Sequence, residues 1–298
     1  MATDILSKIQ KDFPTFSKGQ RRISEYIMES YDKAAFMTAS RLGKTVGVSE
    51  STVVRFAVEL GYNGYPAMQK AMQEMVRNKL TSVQRMGVIN DLLGNQDVVS
   101  MVLQSDMETL RMTGEALDRQ VFDQVVERMM SARTIYIIGV RSSMALATFL
   151  NFHLRNMLHH VRLVEPYSIS EMLEQLVHVG PQDVVISISF PRYSSRTIKA
   201  MDFCRKAGAT VVAITDTPEA PGARVSTHVL LAKSDMVSIV DSLVAPMSVI
   251  NALIVSVGRK NENDLSRTYE ELEQIWEEYE AYERMENCCP GGGRRGRG

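Results

Sequence analysis

The chain has 298 residues, of which 45% are hydrophobic and 23% charged, and its formal net charge is −1. This composition is typical of a globular protein with room for two domains, and it excludes a low-complexity chain. The longest uncharged stretch, 17 residues from Ser242 to Gly258, contains Pro246 and Asn251 and is too short and too polar for a membrane span. Because the first 15 residues lack the apolar segment of a secretory signal, we expect a cytoplasmic protein with no membrane partner.

Charge is divided unevenly along the chain. Residues 1–80 carry 12 Lys and Arg against 8 Asp and Glu, a net charge of +4, whereas the remainder carries −5. A nearly neutral chain can therefore still present one basic surface, and the first part is the one suited to nucleic acid.

The three cysteines, Cys204, Cys288 and Cys289, are odd in number and badly spaced for disulfides or a zinc site. We expect Cys204 to be buried in a helix, and we expect no metal and no cofactor. Residues 287–298 are rich in Gly, Pro and Arg, which cannot build a core, so they predict a disordered tail.

The first 80 residues predict an all-helical domain. Ser17 and Gln20 have the spacing of a capping box at the start of one helix. Apolar residues recur every four positions along that helix, at Ile23, Ile27 and Tyr31. A further helix is expected from 66 to about 80, where it closes the domain at residues 1–80.

Residues 38–60 predict two short helices joined by a tight turn. Thr38 is a natural N-cap for a helix from 39 to about 46, and Ser49 is one for the second helix. Gly47 can adopt the positive φ that redirects the chain between them. The second helix turns an apolar face inward, made of Val53, Ala57 and Leu60. This arrangement indicates a helix-turn-helix unit.

The outward face of the second helix predicts contacts with DNA. Ser51, Thr52 and Arg55 lie in its N-terminal half, the part that enters the major groove in helix-turn-helix proteins. The alternative is an ordinary helical hairpin in which Arg55 pairs with Glu59 one turn later. The predicted DNA-binding residues are Thr38, Ser40, Lys44, Ser49, Ser51, Thr52, Arg55, Tyr62 and Tyr65.

Residues 81–104 are expected to link this domain to a second one at 105–260, with a long amphipathic helix from about 101 to 131 at the junction. Apolar strands then alternate with helices, as parallel strands require. The strands are Thr134–Ile138, Val161–Val164, Val184–Ile188, Thr210–Ile214 and Val229–Leu231. The helices lie at about 143–158, 168–178, 195–207 and 239–257. The pattern predicts an α/β domain with a doubly wound, five-stranded parallel sheet.

A C-terminal segment at 261–286 predicts one more helix, from about 264 to 286. This helix carries nine acidic residues against two arginines, together with a single apolar stripe. We expect a solvated outer helix that docks through the stripe, and a dimer contact is the alternative.

Loops rich in hydroxyl groups follow strands one and three, from Gly139 to Ser143 and from Ser187 to Thr197. Each loop directly precedes a helix, and helix N-termini, hydroxyl groups and arginines bind anions. The loops therefore predict a site for a phosphorylated small molecule, although such hydroxyl groups can also simply cap helices. The predicted ligand-binding residues are Gly139, Arg141, Ser142, Ser143, Ser187, Ser189, Arg192 and Ser194.

The same strand ends do not fit a dinucleotide site or a catalytic site. Of the three glycines in the dinucleotide fingerprint only Gly139 is present, because Arg141 and Met144 occupy the other positions. The possible acid–base groups have no partner visible in the sequence, and they are His160, Glu165, Glu171 and His178. We therefore expect no catalytic residues and a binding protein rather than an enzyme.

The chain resembles the RpiR family of bacterial transcriptional regulators, in which a helix-turn-helix domain precedes an SIS (sugar isomerase) domain. The resemblance rests on the run from Gly47 to Phe56, on the sequence at 60–62, and on the two strand-end loops. It implies a flavodoxin-like SIS fold that senses phosphosugars. It also implies that phosphate is held by Ser142, Ser143, Ser189 and Ser194. SIS domains commonly have glycine where Arg141 stands and a Ser-Gly pair near Arg192, so we expect these arginines to supply charge for the anion.

These observations predict a DNA-binding transcriptional regulator of a sugar-metabolism operon that is modulated by a phosphorylated sugar. The expected assembly is a homodimer, or a dimer of dimers, that binds paired half-sites on double-stranded DNA. Two alternatives remain open. One is a sugar-phosphate isomerase-like enzyme with a helical appendage, and the other is a small-molecule sensor whose helical domain binds another protein.

Overall fold

A computed structural model describes residues 5–79, 97–234 and 241–281 of the chain. Helices alone occupy the first of these ranges, whereas strands and helices alternate through the others. No helix in these three ranges is long and apolar enough to cross a membrane. The disordered tail predicted at 287–298 lies outside the described residues, as does most of the predicted linker.

The N-terminal region is built from helices around one apolar core. In chain order they are α1 (Ile5–Asp12), α2 (Lys18–Glu29), α3 (Tyr31–Ala34), α4 (Ala39–Val46), α5 (Glu50–Glu59) and α6 (Tyr65–Lys79), with a short 3-10 turn at Phe13–Thr15. The predicted capping box is present at the start of α2, where Ser17 and Gln20 exchange hydrogen bonds. The helix α1 was not predicted, but Ile5 and Ile9 bury one of its faces in this core.

Two helices stand where the sequence predicted one long helix from about 101 to 131. They are α7 (Val98–Ala116) and α8 (Arg119–Met130). The chain is extended at Leu117, and the carboxylate of Asp118 then accepts hydrogen bonds from the backbone N–H groups of Gln120 and Val121. An N-cap of this kind starts a new helix. The single-helix prediction is therefore wrong, and α7 also includes residues that were assigned to the linker.

Five parallel strands form one sheet, as predicted. They are β1 (Ile135–Gly139), β2 (Val161–Val164), β3 (Val184–Ile188), β4 (Thr210–Thr215) and β5 (His228–Leu231). Their spatial order is β2-β1-β3-β4-β5, which is the flavodoxin-like order. The direction of winding reverses between β1 and β3, and ligands bind at such a switch point in open α/β sheets.

Helices cover both faces of this sheet, so it is doubly wound. They are α8, α9 (Ser143–Leu154), α10 (Ile169–Gln175), α11 (Ser195–Lys206) and α12 (Val244–Lys260), with a 3-10 turn at Ala223–Val225. The last helix, α13 (Glu262–Glu278), packs on α12, where Leu265 lies beside Gly258. Residues of α8, α9 and α12 share one apolar cluster with the sheet, and residues of α10 and α11 share the other. Cys204 is buried in α11, as predicted, and this burial raises the pKa of its thiol to about 12.

Candidate DNA-binding surface and ligand cavity

The tight turn between α4 and α5 depends on two glycines. Gly47 ends α4 with a φ of 72°, a left-handed conformation that glycine adopts without a steric penalty. At Gly43 a Cβ atom would lie 2.8 Å from the carbonyl oxygen of Val48, so a larger residue would push the two helices apart. The sequence predicts the positive φ at Gly47, whereas the close approach at Gly43 is visible only in the structure.

The two helices are capped as the sequence predicted. The Thr38 hydroxyl accepts a hydrogen bond from the N–H of Arg41 at 3.2 Å, and the Ser49 hydroxyl accepts one from the N–H of Thr52, also at 3.2 Å. The Ser49 hydroxyl also lies 2.8 Å from the hydroxyl of Thr52. These side chains fix the directions of α4 and α5.

The exposed face of α5 is polar at its N-terminal end. Val53, Ala57 and Leu60 are buried as expected, together with Phe56. Ser51 and Arg55 are exposed, and within the described part of the chain Arg55 has no ion pair with Glu59. The carboxylate of Glu59 instead accepts a hydrogen bond from the side chain of Gln20 in α2. The ion pair between Arg55 and Glu59 that the hairpin alternative proposed is therefore not observed, and the contact of Arg55 with DNA stays a prediction.

The remaining predicted DNA-binding residues differ in accessibility. Lys44 is exposed on α4, and Ser40 is half-buried. Tyr62 is half-buried against the N-terminal core, with the Lys8 ammonium 4.6 Å from the centre of its ring. Tyr65 is buried, its hydroxyl donates to the carbonyl oxygen of Met37 at 2.7 Å, and burial raises its pKa to about 12. The structure therefore assigns Tyr65 to the core, which corrects its predicted place on the DNA-binding surface.

A cavity lies at the carboxyl ends of β1 and β3, where the two hydroxyl-rich loops meet. Six predicted ligand-binding residues line it, namely Arg141, Ser142, Ser143, Ser189, Arg192 and Ser194. The rest of the wall consists of Val140, Ile188, Phe190, Pro191, Thr197, Asp241 and Leu243. The structure thus brings together the two loops that the sequence indicated separately.

Both loops hold an arginine in a left-handed backbone conformation, with a φ of 59° at Arg141 and 64° at Arg192. This conformation costs about 1–2 kcal/mol for a residue that has a Cβ atom. Backbone strain of this kind persists only where the surrounding structure enforces it, and it concentrates at ligand sites. The two arginines stand near the positions where the resemblance led us to expect glycine.

Two predicted ligand-binding residues are absent from the described wall of the cavity. Ser187 is buried inside β3 and Gly139 ends β1. Gly139 acts through its small size, because a Cβ atom there would lie 2.6 Å from the carbonyl oxygen of Ser143. Ser187 lies one residue inside the end of β3 and is 1% exposed, so it does not line the cavity as predicted, and Gly139 has no side chain to contribute.

Besides the four loop residues Val140, Ile188, Phe190 and Pro191, three more lining residues were not predicted as ligand contacts. Thr197 lies in the first turn of α11 and is 1% exposed, and within residues 5–79, 97–234 and 241–281 its hydroxyl has no hydrogen-bond partner. The sequence indicated Thr197 only as the last residue of the second hydroxyl-rich loop. Asp241 and Leu243 precede α12 and reach the cavity from about 45 residues farther along the chain. No local pattern could have indicated them.

The second loop is anchored to the end of β4. The Tyr193 hydroxyl donates to the Asp216 carboxylate at 2.7 Å, and Asp216 is only 7% exposed. The Lys233 ammonium donates to the backbone oxygen of Asp216 at 3.0 Å. These bonds fix the loop that carries Arg192. The four acid–base candidates are exposed and none belongs to the described wall: they are His160, Glu165, Glu171 and His178.

Two families of known domains match the chain. Residues 3–79 match the helix-turn-helix domain of the rpiR family, and residues 128–256 match the SIS domain. The HTH-type transcriptional regulator HexR of Escherichia coli is 25% identical over 280 residues, which are 91% of this chain and 95% of that protein. HexR of Pseudomonas aeruginosa is 24% identical over 229 residues, 75% of this chain and 77% of that protein.

Solved structures agree with the fold. The Vibrio vulnificus NanR protein complexed with ManNAc-6P aligns over 93% of this chain and 100% of its own, with a TM-score of 0.58 at 21% identity. The sugar isomerase domain of an RpiR transcription factor from Sphaerobacter thermophilus covers 59% of this chain and 98% of its own, with a TM-score of 0.56 at 24% identity.

The fold and these matches define a class of protein in which a helix-turn-helix domain is followed by an SIS domain. The chain belongs to the rpiR family of helix-turn-helix transcriptional regulators.

Proposed function

We propose that this regulator binds operator DNA through α5 and binds a phosphosugar in the cavity between the two strand-end loops. The observation that carries the proposal is the Thr197 hydroxyl, which is buried at the cavity wall and has no hydrogen-bond partner among the residues that the structure describes. A buried hydroxyl without a hydrogen-bond partner costs about 1–3 kcal/mol of stability. A ligand whose oxygen accepts a hydrogen bond from this hydroxyl therefore binds more tightly. Hydroxyl groups and arginines beside it suit a phosphate.

The DNA-binding part of the proposal rests on an exposed polar surface in the basic part of the chain. Ser51 and Arg55 are exposed on α5 and Lys44 is exposed on α4. Arginine reads guanine edges and lysine binds phosphates. A homodimer, or a dimer of dimers, would place two copies of α5 on half-sites about one helical turn apart. We place the end of the DNA-binding domain at residue 80, and we start the ligand-binding domain at Val98, where α7 begins, rather than at residue 105.

Regulation rather than catalysis is the proposed role of the SIS domain. The relatives HexR from two bacteria are named transcriptional regulators, whereas a sugar isomerase-like enzyme is the competing role for this fold. An isomerase assay distinguishes a regulator from an enzyme, because an enzyme would convert a bound phosphosugar to its isomer. We expect binding without turnover.

Replacement of Thr197 by valine tests the cavity. This change removes the hydroxyl and nearly keeps the shape, so phosphosugar affinity should fall about tenfold, which corresponds to about 1.4 kcal/mol. The free energy of unfolding should stay the same or rise, because no described protein group bonds to this hydroxyl. Calorimetric titration with glucose 6-phosphate, ribose 5-phosphate and N-acetylmannosamine 6-phosphate measures the affinity, and urea unfolding measures the stability.

Ser24→Ala is the matched control. The Ser24 hydroxyl is also buried and bonds to no group in the described part of the chain, but it lies in the N-terminal helical core. This variant should keep the phosphosugar affinity of the unmodified protein. Equal affinities for Thr197→Val and the unmodified protein, or no binding of any of the three sugars, would contradict the proposed site.

A further inference from the structure

The helix α7 presents an unusually polar face to the ligand-binding half. Its buried residues are Thr109 and Thr113 rather than aliphatic side chains. One turn before Thr109, the half-buried Asp106 lies on the same side of the helix. In the sequence, α7 is also the helix that directly follows residues 80–96, which join it to the helix-turn-helix domain. It therefore stands between the two functional halves of the chain.

One hydrogen bond joins this polar face to the wall of the cavity. The Ser242 hydroxyl donates to the Asp106 carboxylate at 2.6 Å. Ser242 lies between Asp241 and Leu243, and both of these neighbours line the cavity. The residue that bonds to Asp106 is therefore adjacent in the chain to two residues of the cavity wall.

A second route starts from the other side of the cavity. The loop residue Tyr193 bonds to Asp216, and the Lys233 ammonium bonds to the backbone oxygen of Asp216. The backbone N–H of Lys233 then donates to the Thr113 hydroxyl at 2.8 Å. Chain neighbours of lining residues on both sides of the cavity are thus linked, directly or through Asp216 and Lys233, to the same face of α7.

We propose that α7 transmits occupancy of the cavity to the DNA-binding domain, and that Asp106 is a positioning residue that acts through Ser242. The inference rests on the proposed function, since it requires both a ligand and an operator. A ligand that binds one arrangement of α7 more tightly shifts the population of that arrangement, and DNA affinity changes by the same coupling factor. Asp106 touches neither the ligand nor the DNA, so its loss should reduce the coupling and leave each binding event intact.

The test compares Asp106→Ala, Asp106→Asn and the control Glu108→Ala. Asparagine keeps an oxygen that accepts from Ser242, whereas alanine does not. Glu108 is an exposed carboxylate of the same helix that pairs with Arg111. The ligand probe is whichever of glucose 6-phosphate, ribose 5-phosphate and N-acetylmannosamine 6-phosphate shifts the DNA affinity of the unmodified protein most. DNA affinity is measured with and without saturating probe, and probe affinity is measured by calorimetry.

We expect the probe to shift the DNA affinity of Asp106→Ala by less than a third of the shift seen in the unmodified protein, with probe affinity within twofold. The asparagine variant and Glu108→Ala should keep most of the shift. If Asp106→Ala fails to fold, Ser242→Ala removes the donor of the same hydrogen bond and must uncouple the two sites equally. An undiminished shift in the variant that folds overturns the role of α7. No shift in the unmodified protein with any probe overturns the proposed function itself, and the two failures are therefore distinct.

Discussion

Gly139 allows α9 to begin directly against the end of β1. A Cβ atom at this position would lie 2.6 Å from the Ser143 carbonyl oxygen and 2.7 Å from the Cβ of Ala147. Such distances are far below van der Waals contact, so any larger residue forces the strand and the helix apart. The close approach also places Ser142 and Ser143 at the edge of the cavity.

Gly139→Ala should therefore destabilise the fold by about 1–3 kcal/mol, the usual cost of overpacking, and should also weaken phosphosugar binding. Gly114→Ala is the matched control, because Gly114 lies in α7 and an added Cβ would meet no atom within 4 Å. That change should be neutral or stabilise by up to about 1 kcal/mol. Urea unfolding of both variants measures the difference, and equal stabilities would show that the contacts at Gly139 relax without cost.

At the scale of single residues, sequence reasoning succeeded where a residue and its partner are neighbours in the chain. Ser49 caps the helix that follows it, and Ser143 starts the helix after its strand. It failed for Tyr65, whose hydroxyl bonds to Met37 in a different element. A tyrosine that follows a turn looks exposed in the sequence, and only the packing of α6 shows that it is buried.

The recognition helix α5 combines a fixed direction with a free outer face. The Ser49 cap orients it and Phe56 anchors it in the core, while Ser51 and Arg55 remain exposed. Its polar end is therefore available without any rearrangement of the helical domain. That geometry suits insertion into a major groove.

Arg55→Ala should weaken operator binding by about 1–3 kcal/mol and relax specificity at one base position. The free energy of unfolding should hardly change, because the side chain is exposed. Arg259→Ala removes an exposed arginine from the end of α12 and serves as the charge-matched control. Titrations of a labelled operator duplex and of single-base variants measure both effects. If the two variants bind the operator with equal affinity, Arg55 does not contribute to DNA recognition.

At the scale of elements, the strands were predicted within one or two residues because buried parallel strands are short apolar runs. The break between α7 and α8 was missed, since the apolar periodicity continues across it. Asp118 is a strong N-cap, but the same residue is also common on an exposed helix face. The local sequence is compatible with either role for Asp118. The tertiary packing of α8 decides that Asp118 caps a new helix.

At the scale of the whole molecule, the division into a helical half and an α/β half follows from the change in apolar period and from the charge asymmetry. The composition of the cavity does not follow so simply. Loops after β1 and β3 could be paired from the sequence, because carboxyl ends of neighbouring parallel strands share one edge. Asp241 and Leu243 reach the same cavity only through the path of the chain before α12, and that path is set by tertiary packing.

The central claim is that one chain joins sequence-specific DNA binding to a phosphosugar site. The most direct test is fluorescence anisotropy of the full chain with a labelled duplex from upstream of its own gene and with a scrambled duplex. Each duplex is titrated at two salt concentrations, with and without the three phosphosugars. We expect tighter binding to the upstream duplex that persists at the higher salt, and a change in that affinity with at least one sugar. Equal, weak and salt-sensitive binding to both duplexes, unaffected by any of the sugars, would contradict the claim.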